Sequence, residues 1–429
     1  RKSIGSLSNP GYKVWEDVLG DKHPYQPCPH TESVIRDLRN INGGGGRPLL
    51  ISEYGFGSAN NLFHLRGHYH QAANGFAFDR KLVDDSFAKF SDDWNRWKLA
   101  DLFGNMENYF RLCIAMEAGG RLLGTSAIRA NSNVVAHSLT ACHDTVMAAE
   151  GLITSFREPK PGVYDALWDA WSPLRFCAFV EPVQAVRGGT AHVEVVFVNE
   201  DVLKPGKYPV RVQVLGPGGH RALDTSITVE IPQVLARPEP PFAKLIFSKD
   251  VKLDGPAGAY KLFAFFEERA AAEGGEYTFW VDDPAAMPKV DSTVTLWGQD
   301  QGLARWLEAK RIKTKPFGAD AGARELILVG KVPGEDFAAL TKRIEAGATA
   351  IFLCPAVFAK NNQPTALLPV ATPGALVNVH DWLYQNNDWA KEHPIFKGLP
   401  TGLLDYQFYR EILGGQFFTG QTPDRKSVV

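Results

Sequence analysis

The spacing of hydrophobic residues changes twice along the chain and divides it into three parts. In the first part, residues 1–172, short apolar runs alternate with segments in which apolar residues recur at helical spacing. Residues 31–41 show the helical spacing, and residues 47–54 form an apolar strand candidate directly after a run of glycines. Residues 80–123 form a long helical insertion, whose evenly spaced aromatic residues we interpret as core packing. The first part is therefore predicted to alternate β-strands and α-helices.

The second part, residues 173–284, alternates apolar and polar residues with a period of two. The strand candidates are separated by turn residues and lie at 175–180, 192–198, 208–215, 225–231, 244–253, 260–266 and 277–281. Tyr208 and Tyr260 each follow a turn that contains Pro and Gly, which is the position that a tyrosine corner requires. The predicted fold of this part is an immunoglobulin-like β-sandwich.

The third part, residues 285–429, returns to strand and helix candidates in alternation. Strands are predicted at 293–297, 325–329 and 349–354, and helices at 302–311 and 335–346. This order predicts a small three-layer α/β domain with a mostly parallel sheet. Cys354 ends the last of these strands, but Pro355 follows it and no glycine flanks it, so the sharp turn and the backbone N–H of a catalytic nucleophile are missing. We therefore predict a structural role for Cys354.

Composition limits the classes of function to be considered. The chain has 429 residues, 45% of them hydrophobic, and a formal net charge of −2, too close to neutral to attract nucleic acid or an anionic membrane surface. Its apolar runs are far shorter than the roughly 20 residues of a membrane-spanning helix. The cysteines are widely spaced, so neither a disulfide framework nor a cysteine zinc site is predicted. We expect a soluble protein that binds neither nucleic acid nor membranes. Its compartment, extracytoplasmic or cytoplasmic in a bacterium, stays open.

Glu53 is the strongest candidate for a catalytic residue. It lies near the end of the strand candidate at 47–54, and Gly55 and Gly57 follow it closely. In a β/α barrel, the carboxyl ends of the strands form the catalytic rim. A carboxylate on a rigid strand there, beside glycines that let a substrate approach, is suited to attack the anomeric carbon of a glycoside. From the spacing alone, a capping or ion-paired Glu at a strand end is the alternative.

Three segments resemble glycoside hydrolase family 2, the group of β-galactosidases, β-glucuronidases and β-mannosidases. Leu49-Leu-Ile-Ser-Glu-Tyr-Gly55 is similar to the nucleophile strand of that family, Asp21-Lys-His-Pro-Tyr25 to its sixth barrel strand, and Ser155-Phe-Arg-Glu-Pro-Lys-Pro161 to the exit from the barrel into a sandwich. The resemblance covers about residues 17–231 and implies strands six to eight of a (β/α)8 TIM barrel within residues 1–172. It also implies that Glu53 is the nucleophile of a retaining double displacement, that Tyr25 orients it by a hydrogen bond, and that His23 contributes to the sugar site.

The chain departs from the family pattern in its acid/base residue. In the family this Glu follows an Asn on barrel strand four, upstream of the nucleophile, and no Asn-Glu pair precedes Glu53. The pair Asn199-Glu200 lies in the sandwich region, in the wrong chain order, and we interpret it as unrelated to catalysis. Because the chain also begins at Arg1 without a Met, we expect a fragment that carries the nucleophile but not the acid/base residue and is inactive by itself.

The eighth-strand segment, residues 135–144, also departs from the family pattern. It lacks the Trp that is common at the end of that strand in the family. His137, His143 and Asp144 are the candidates to line the sugar site instead, with a core or capping role as the alternative for each. The sugar and the linkage are therefore not identified by the sequence.

The histidines of the segment H-L-R-G-H-Y-H are candidates for metal ligands. His64 and His68 are four residues apart and share a helix face, but no Glu follows His64 as in the H-E-x-x-H motif, and His70 falls elsewhere on the helix. A solvated or stacked helix face is the preferred interpretation. Neither a metal nor an organic cofactor is predicted.

The third part of the chain resembles the class I amidotransferase-like domains of flavodoxin topology that occur in some β-galactosidases. Residues 393–399, H-P-I-F-K-G-L, are similar to a segment that recurs in those domains. The resemblance implies a domain without chemistry that serves assembly, including a possible homo-oligomer. The predicted function is hydrolysis of a β-glycoside. A non-catalytic carbohydrate-binding or assembly protein on the same scaffold is the alternative.

Overall fold

The computed structural model describes residues 19–26, 30–71, 78–145, 148–233, 243–318, 324–330, 336–358, 374–378, 387–404, 406–411 and 416–420. These residues form a multidomain α/β protein with several separate sheets. The chain divides into unit 1, which is Arg1–Pro284 with Asp381–Leu413, and unit 2, which is Ala285–His380 with Gly414–Val429. Within the described ranges, no sheet is closed into a barrel by hydrogen bonds. None of the helices in these ranges has both the length and the apolar character needed to cross a membrane.

The first region of unit 1 is a parallel sheet with helices between its strands. The strands are β1 (Gly20–Lys22), β2 (Leu49–Tyr54) and β3 (Val134–Leu139), and they pair in that order. The helices are α1 (Glu32–Asn40), α2 (Leu62–Gln71), α3 (Phe78–Arg96), α4 (Ala100–Phe103), α5 (Met106–Arg129) and α6 (Val163–Ala170). Since all three strands run in the same direction, their carboxyl ends meet at one edge of the sheet.

Local sequence explains how α1 and β2 are positioned. The Thr31 side chain accepts a hydrogen bond from the backbone N–H of Val34 and so caps the first turn of α1. Gly44, Gly45 and Gly46 then adopt positive φ angles of 73°, 58° and 72°, which glycine tolerates because it has no Cβ. The resulting tight turn returns the chain to the start of β2.

The second region of unit 1 consists of two sheets that share one hydrophobic core. The strands are β4 (Leu174–Glu181), β5 (Gln184–Val186), β6 (Thr190–Asn199), β7 (Gly206–Leu215), β8 (Arg221–Ile231), β9 (Ala243–Lys252), β10 (Gly258–Phe266), β11 (Glu273–Gly274) and β12 (Glu276–Asp282). One sheet has the order β5-β12-β10-β7-β8 and the other β11-β4-β6-β9, with antiparallel pairing except at β5 and β11. Fully buried Val195, Val212 and Leu262 belong to the core between them.

Two tyrosines fasten turns within this region, and the outer face of one of its sheets packs against the first region. The hydroxyls of Tyr208 and Tyr260 each donate a hydrogen bond of 2.9 Å to the backbone carbonyl four residues earlier, that of Lys204 and that of Pro256. On the outer face of the β4 and β6 sheet, Phe179 and other apolar residues pack in one cluster with residues of α1, β2 and α5. The two-sheet region therefore shares a hydrophobic cluster with α1, β2 and α5 of the first region.

Unit 2 contains a four-stranded sheet that is parallel throughout. Its strands are β13 (Val294–Trp297), β14 (Thr314–Pro316), β15 (Leu326–Val329) and β16 (Thr349–Phe352), in the order β14-β13-β15-β16. Its helices are α7 (Gln301–Ala309) and α8 (Phe337–Glu345), and an antiparallel pair joins β17 (Ala375–Asn378) to β20 (Gln416–Thr419). The Asp300 and Asp336 side chains cap the two helices. The parallel pairing agrees with the expectation from the order of strands and helices.

A segment near the end of the chain belongs to unit 1 and not to unit 2. It contains the antiparallel pair β18 (Trp389–Ala390) and β19 (Gly402–Leu403) and the short helix α9 (Tyr406–Tyr409). The Trp389 ring lies edge-on to Trp97, with 6.4 Å between ring centroids. The buried Arg410 donates a 2.6 Å hydrogen bond to the Tyr277 hydroxyl. The chain therefore leaves unit 1 after β12 and returns to it.

Candidate active site

The candidate site begins with two residues on neighbouring parallel strands. Glu53 lies near the carboxyl end of β2, and Tyr25 lies three residues after the last residue of β1. The Tyr25 hydroxyl donates a short hydrogen bond to Glu53 Oε2. The Glu53 side chain is nonetheless 45% exposed, so a ligand can reach it from solvent. The structure thus brings together the two residues to which the sequence assigns catalytic roles.

Tyr25 is a neutral hydrogen-bond donor. Burial raises its pKa to about 12, and the negative charge of Glu53, which accepts its proton, contributes to the shift. Because the single hydroxyl proton points to Glu53, the Thr140 hydroxyl, 3.0 Å away, is the donor to the Tyr25 oxygen. Tyr25 therefore stays protonated at physiological pH and fixes one oxygen of the Glu53 carboxylate.

His23 approaches the same oxygen of Glu53 as Tyr25 does. Its Nε2 is 2.8 Å from Ser52 Oγ, and that hydroxyl in turn donates a 2.7 Å hydrogen bond to Asp21. Since the only proton of the Ser52 hydroxyl goes to Asp21, His23 Nε2–H must be the donor to Ser52. His23 Nδ1 then lies 3.4 Å from Glu53 Oε2, a contact that is attractive when the imidazole carries both protons. The sequence-based interpretation named His23 but not Ser52 or Asp21. The available signal was that Asp21 and His23 lie two positions apart at the end of a strand and so point to the same face.

A buried network of charges lies behind the sheet edge. Arg121 and Glu117, both fully buried on α5, form a 3.0 Å ion pair, and Lys160 Nζ is 2.7 Å from Glu117 Oε2 and 3.2 Å from Asp144. Asp144 also accepts a 2.7 Å hydrogen bond from the backbone N–H of Gly151. Two positive and two negative side chains balance one another, as buried charges require. Asp144, a sequence candidate for sugar binding, is therefore engaged in this network.

The network holds the chain that follows β2 and introduces a second carboxyl close to the site. The Arg121 guanidinium donates hydrogen bonds to the backbone carbonyls of Phe56, at 2.9 Å, and of Glu150. The side chain of Glu150 is buried, and a Cβ placed on Gly55 would lie 3.6 Å from its Oε2. Burial raises the pKa of Glu150, and the charge of nearby Glu53 raises it further. The sequence analysis did not name Glu150. The signal that could have found it is an acidic residue directly before Gly151, in the loop that follows β3.

His137 is placed apart from the Glu53 contacts. It lies on β3, and its Nε2 accepts a 2.6 Å hydrogen bond from the indole N–H of Trp171. Burial lowers the pKa of His137 to about 4, and the positive charge of Arg129 acts in the same direction. The ring is therefore neutral, as the hydrogen bond to its nitrogen lone pair requires. His143, the other histidine of this segment, is exposed.

The side chains of Asn199 and Glu200 are both engaged in contacts at the end of β6. Asn199 ends β6, and its side chain accepts a 2.9 Å hydrogen bond from the backbone N–H of Leu203. Glu200 forms an ion pair with Arg129, and its backbone N–H donates a 2.8 Å hydrogen bond to Pro173. These contacts hold the connection after β6, which fits the interpretation that the pair is unrelated to catalysis.

The remaining sequence candidates lie elsewhere in the fold. Cys354 is partly buried against the unit 2 core, just after β16. His393, in unit 1, caps a short turn by accepting a 3.2 Å hydrogen bond from the backbone N–H of Ile395. His64 and His68 lie on α2 and both face Glu158, whereas His70 Nε2 lies 2.8 Å from Asp84.

Comparisons with known proteins show no family for this chain. Neither the family models nor the curated proteins include a match. Among solved structures, a CARDB domain from Pyrococcus furiosus, solved in complex with di-metal ions, is 18% identical with a TM-score of 0.19 and covers 26% of this chain and 88% of its own. A mutant β-glucosidase from Listeria innocua, solved in complex with laminaribiose, is 14% identical with a TM-score of 0.17 and covers 25% of this chain and 16% of its own. At these scores neither similarity carries an argument about function.

Proposed function

We propose that this chain carries the nucleophile of a retaining glycoside hydrolase that acts on a β-glycoside. The supporting observation is the hydrogen bond from neutral Tyr25 to the exposed carboxylate of Glu53, at the carboxyl ends of two adjacent parallel strands. In this proposal Glu53 attacks the anomeric carbon and forms a covalent glycosyl ester, which water then hydrolyses. The reaction also needs a second carboxyl, which protonates the leaving group and later activates the water. We assign that residue to sequence outside these 429 residues.

The proposal extends to the finer description of the fold. We assign β1, β2 and β3 to strands six, seven and eight of a TIM barrel, which their parallel order supports. The tyrosine-corner hydrogen bonds of Tyr208 and Tyr260 support an immunoglobulin-like sandwich for the two-sheet region. The parallel sheet of unit 2 supports an amidotransferase-like domain, to which we assign a role in assembly, including possible homo-oligomers, and no chemistry.

The nucleophile can be tested on this chain without the acid/base residue. The probes are 2,4-dinitrophenyl 2-deoxy-2-fluoro-β-glycosides of galactose, glucose, mannose and glucuronic acid. Dinitrophenolate leaves without being protonated, and the fluorine slows hydrolysis of the glycosyl ester, so the intermediate accumulates. We expect one of the probes to add a single glycosyl group to the protein, and peptide mass spectrometry to locate it on Glu53.

Matched variants separate the proposed nucleophile from other carboxylates. Glu53→Gln keeps the shape and a hydrogen-bond acceptor for Tyr25 but should not be labelled. Glu200→Gln, the variant of the Asn-Glu pair, should be labelled at the wild-type rate. Labelling of a different carboxylate would assign the nucleophile to that residue instead of Glu53. Failure of all four probes to label the chain would favour the alternative, a non-catalytic carbohydrate-binding or assembly protein.

A further inference from the structure

We propose that His64, His68 and Glu158 form a binding site for a divalent transition-metal ion, for which Zn²⁺ is the best fit. One donor atom from each of the three side chains lies within 4.8 Å of the other two. Two imidazoles and one carboxylate form a donor set that suits Zn²⁺, because imidazole nitrogen and carboxylate oxygen are both ordinary zinc ligands. This inference does not depend on the proposed glycosidase function.

The distances between the donor atoms fit a bound ion. His68 Nε2 is 3.1 Å from Glu158 Oε2, and His64 Nδ1 is 3.6 Å from the same oxygen. With metal–ligand bonds of about 2.0–2.1 Å, neighbouring ligand atoms of a tetrahedral zinc site are about 3.3–3.4 Å apart. The two distances lie on either side of this value. The two imidazole donors lie within 4.8 Å of each other, so side-chain rotations that bring them closer would place all three donors around one ion.

The fold holds each of the three side chains in place. His64 and His68 lie four residues apart on α2, and their ring centroids are 4.6 Å apart on one face of the helix. His68 is also stacked on Phe156, at 4.5 Å between ring centroids. Glu158 belongs to a tight turn, in which its backbone N–H donates to Thr154 Oγ1 at 3.2 Å and its carbonyl accepts from the Thr154 N–H at 2.8 Å. The carboxylate therefore meets the helix from an ordered loop.

Solvent can supply one further ligand, since the side chains of His64 and Glu158 are 52% and 41% exposed. His64, His68 and Phe156, but not Glu158, also line a cavity of about 20 Å³, which is enough space for a single water molecule. Lys160 also lines this cavity, but its charge is paired with Glu117 and Asp144. Three protein ligands and one water complete the four-coordinate arrangement that zinc prefers. A bound ion would tie α2 to the loop that follows β3.

The same geometry could be held by imidazolium–carboxylate ion pairs without a metal, so the test must measure metal binding directly. His70 supplies a matched control, since it is on the same helix but lies next to Asp84. The full 429-residue chain, without a histidine tag, is treated with a chelator and titrated with Zn²⁺ by calorimetry and with Co²⁺ by visible absorption. We expect one saturable equivalent of each ion.

The variants decide where the ion binds. His68→Ala and Glu158→Gln should each weaken binding by about 100-fold or more, because each removes a direct ligand and even outer-shell losses cost 10–100-fold. His70→Ala should bind as the wild type does. Glu158→Gln keeps the stacking of His68 on Phe156, so its loss of affinity cannot be attributed to lost packing.

A stability readout covers variants that fold poorly. Zn²⁺ should raise the melting temperature of the wild type and of His70→Ala, but not that of His64→Ala, because an ion that binds only the folded state stabilises it. No saturable binding to the wild type, equal affinity in all the variants, or an equal loss in His70→Ala would each overturn the proposal.

Discussion

At the scale of single residues, the candidate site consists of two hydrogen-bond chains with assigned directions. Thr140 donates to Tyr25, and Tyr25 donates to Glu53 Oε2. His23 donates to Ser52, and the Ser52 hydroxyl donates to Asp21. His23 Nδ1 lies 3.4 Å from the same Glu53 oxygen that accepts the hydrogen bond from Tyr25. In the proposed function, the hydrogen bond from Tyr25 orients this carboxylate for attack.

The first residue-scale prediction concerns Tyr25. Tyr25→Phe removes the hydrogen bond that orients Glu53, and misplacing a reacting group by about 1 Å can slow a reaction about 100-fold. We therefore expect the labelling of Glu53 by the fluoroglycoside probe to become about 10–100-fold slower. The measurement is the rate of mass increase of the intact protein. Tyr208→Phe, which removes a hydroxyl bonded to a backbone carbonyl in the two-sheet region, should not change the rate. An unchanged rate in Tyr25→Phe would remove this residue from the site.

A second residue-scale prediction concerns the pH dependence of stability at Asp144. Burial raises the pKa of this carboxyl to about 6, above the value of about 3.9 in an unfolded chain. The folded protein therefore binds the proton more tightly, so the contribution to stability is full below about pH 4 and is lost as the pH rises through 6. The side chain of Asp144→Asn cannot titrate. The stability of the wild type relative to this variant should rise by at most about 3 kcal/mol between pH 7.5 and pH 4.

Paired melting curves of the wild type and Asp144→Asn at the two pH values test this prediction. Acid effects from groups that do not interact with Asp144 occur in both proteins and cancel in the difference. Asn at position 144 can still accept the hydrogen bond from the Gly151 N–H, so the loop keeps that contact. A difference in melting temperature that does not change with pH would contradict the prediction.

At the scale of secondary-structure elements, the sequence patterns predicted the helices and strands better than they predicted the contacts of the candidate site. Period-two and helical spacings placed most of the longer strands and helices within a few residues of their bounds. The resemblance of residues 21–25 and 49–55 to one family paired Tyr25 with Glu53. The patterns missed β5, β11, β14 and β17 to β20, strands of two to four residues, because so few residues carry little periodicity. They also missed Glu150 and the role of Glu158, because those contacts join residues far apart in the chain. Periodicity describes which face of an element is buried but not which distant charge it meets.

An element-scale prediction concerns the start of β15 in unit 2. The carboxylate of Glu325 accepts hydrogen bonds from Lys315, Thr295 and Arg343 at 2.7, 2.5 and 2.6 Å. Burial by itself raises the pKa of Glu325, but these three hydrogen bonds outweigh it and lower the pKa to about 2. The stabilisation is therefore present above about pH 4.3 and is lost only as the pH falls through 2. Glu325→Gln should destabilise this region by about 2 kcal/mol at pH 7, since a hydrogen bond to a charged group contributes about 1.5–3 kcal/mol.

Hydrogen exchange can measure this effect locally, without assuming that the whole chain unfolds in one step. A loss of about 2 kcal/mol corresponds to exchange about 30-fold faster in the peptide that contains β15. Glu308→Gln, at an exposed position in the last turn of α7, is the control and should leave that exchange unchanged. Equal exchange in the wild type and Glu325→Gln would show that the three donors do not stabilise the sheet.

At the scale of the whole molecule, the chain is organised as two compact units, and unit 1 is discontinuous in sequence. From the sequence, residues 285–429 were expected to form one domain. The structure instead packs Trp389 and Arg410 with Trp97 and Tyr277 of unit 1. A resemblance based on a short segment could not show this return, because it says nothing about which neighbour the segment contacts.

The discontinuity predicts that deletion of everything after Pro284 removes part of unit 1 together with unit 2. The deletion leaves Tyr277, which is partly exposed in the intact chain, without the guanidinium of Arg410, and it removes the indole that packs against Trp97. Amides of β12 should therefore exchange at least 10-fold faster in the truncated protein than in the intact chain, since a lost hydrogen bond to a charged group costs about 1.5–3 kcal/mol. Arg410→Ala in the intact chain should reproduce much of this increase, whereas Trp306→Ala, a change at a half-exposed Trp of unit 2, should not. If β12 exchanged equally in the truncated and intact proteins, the returning segment would contribute nothing to unit 1, and the chain would have an ordinary domain boundary at residue 284.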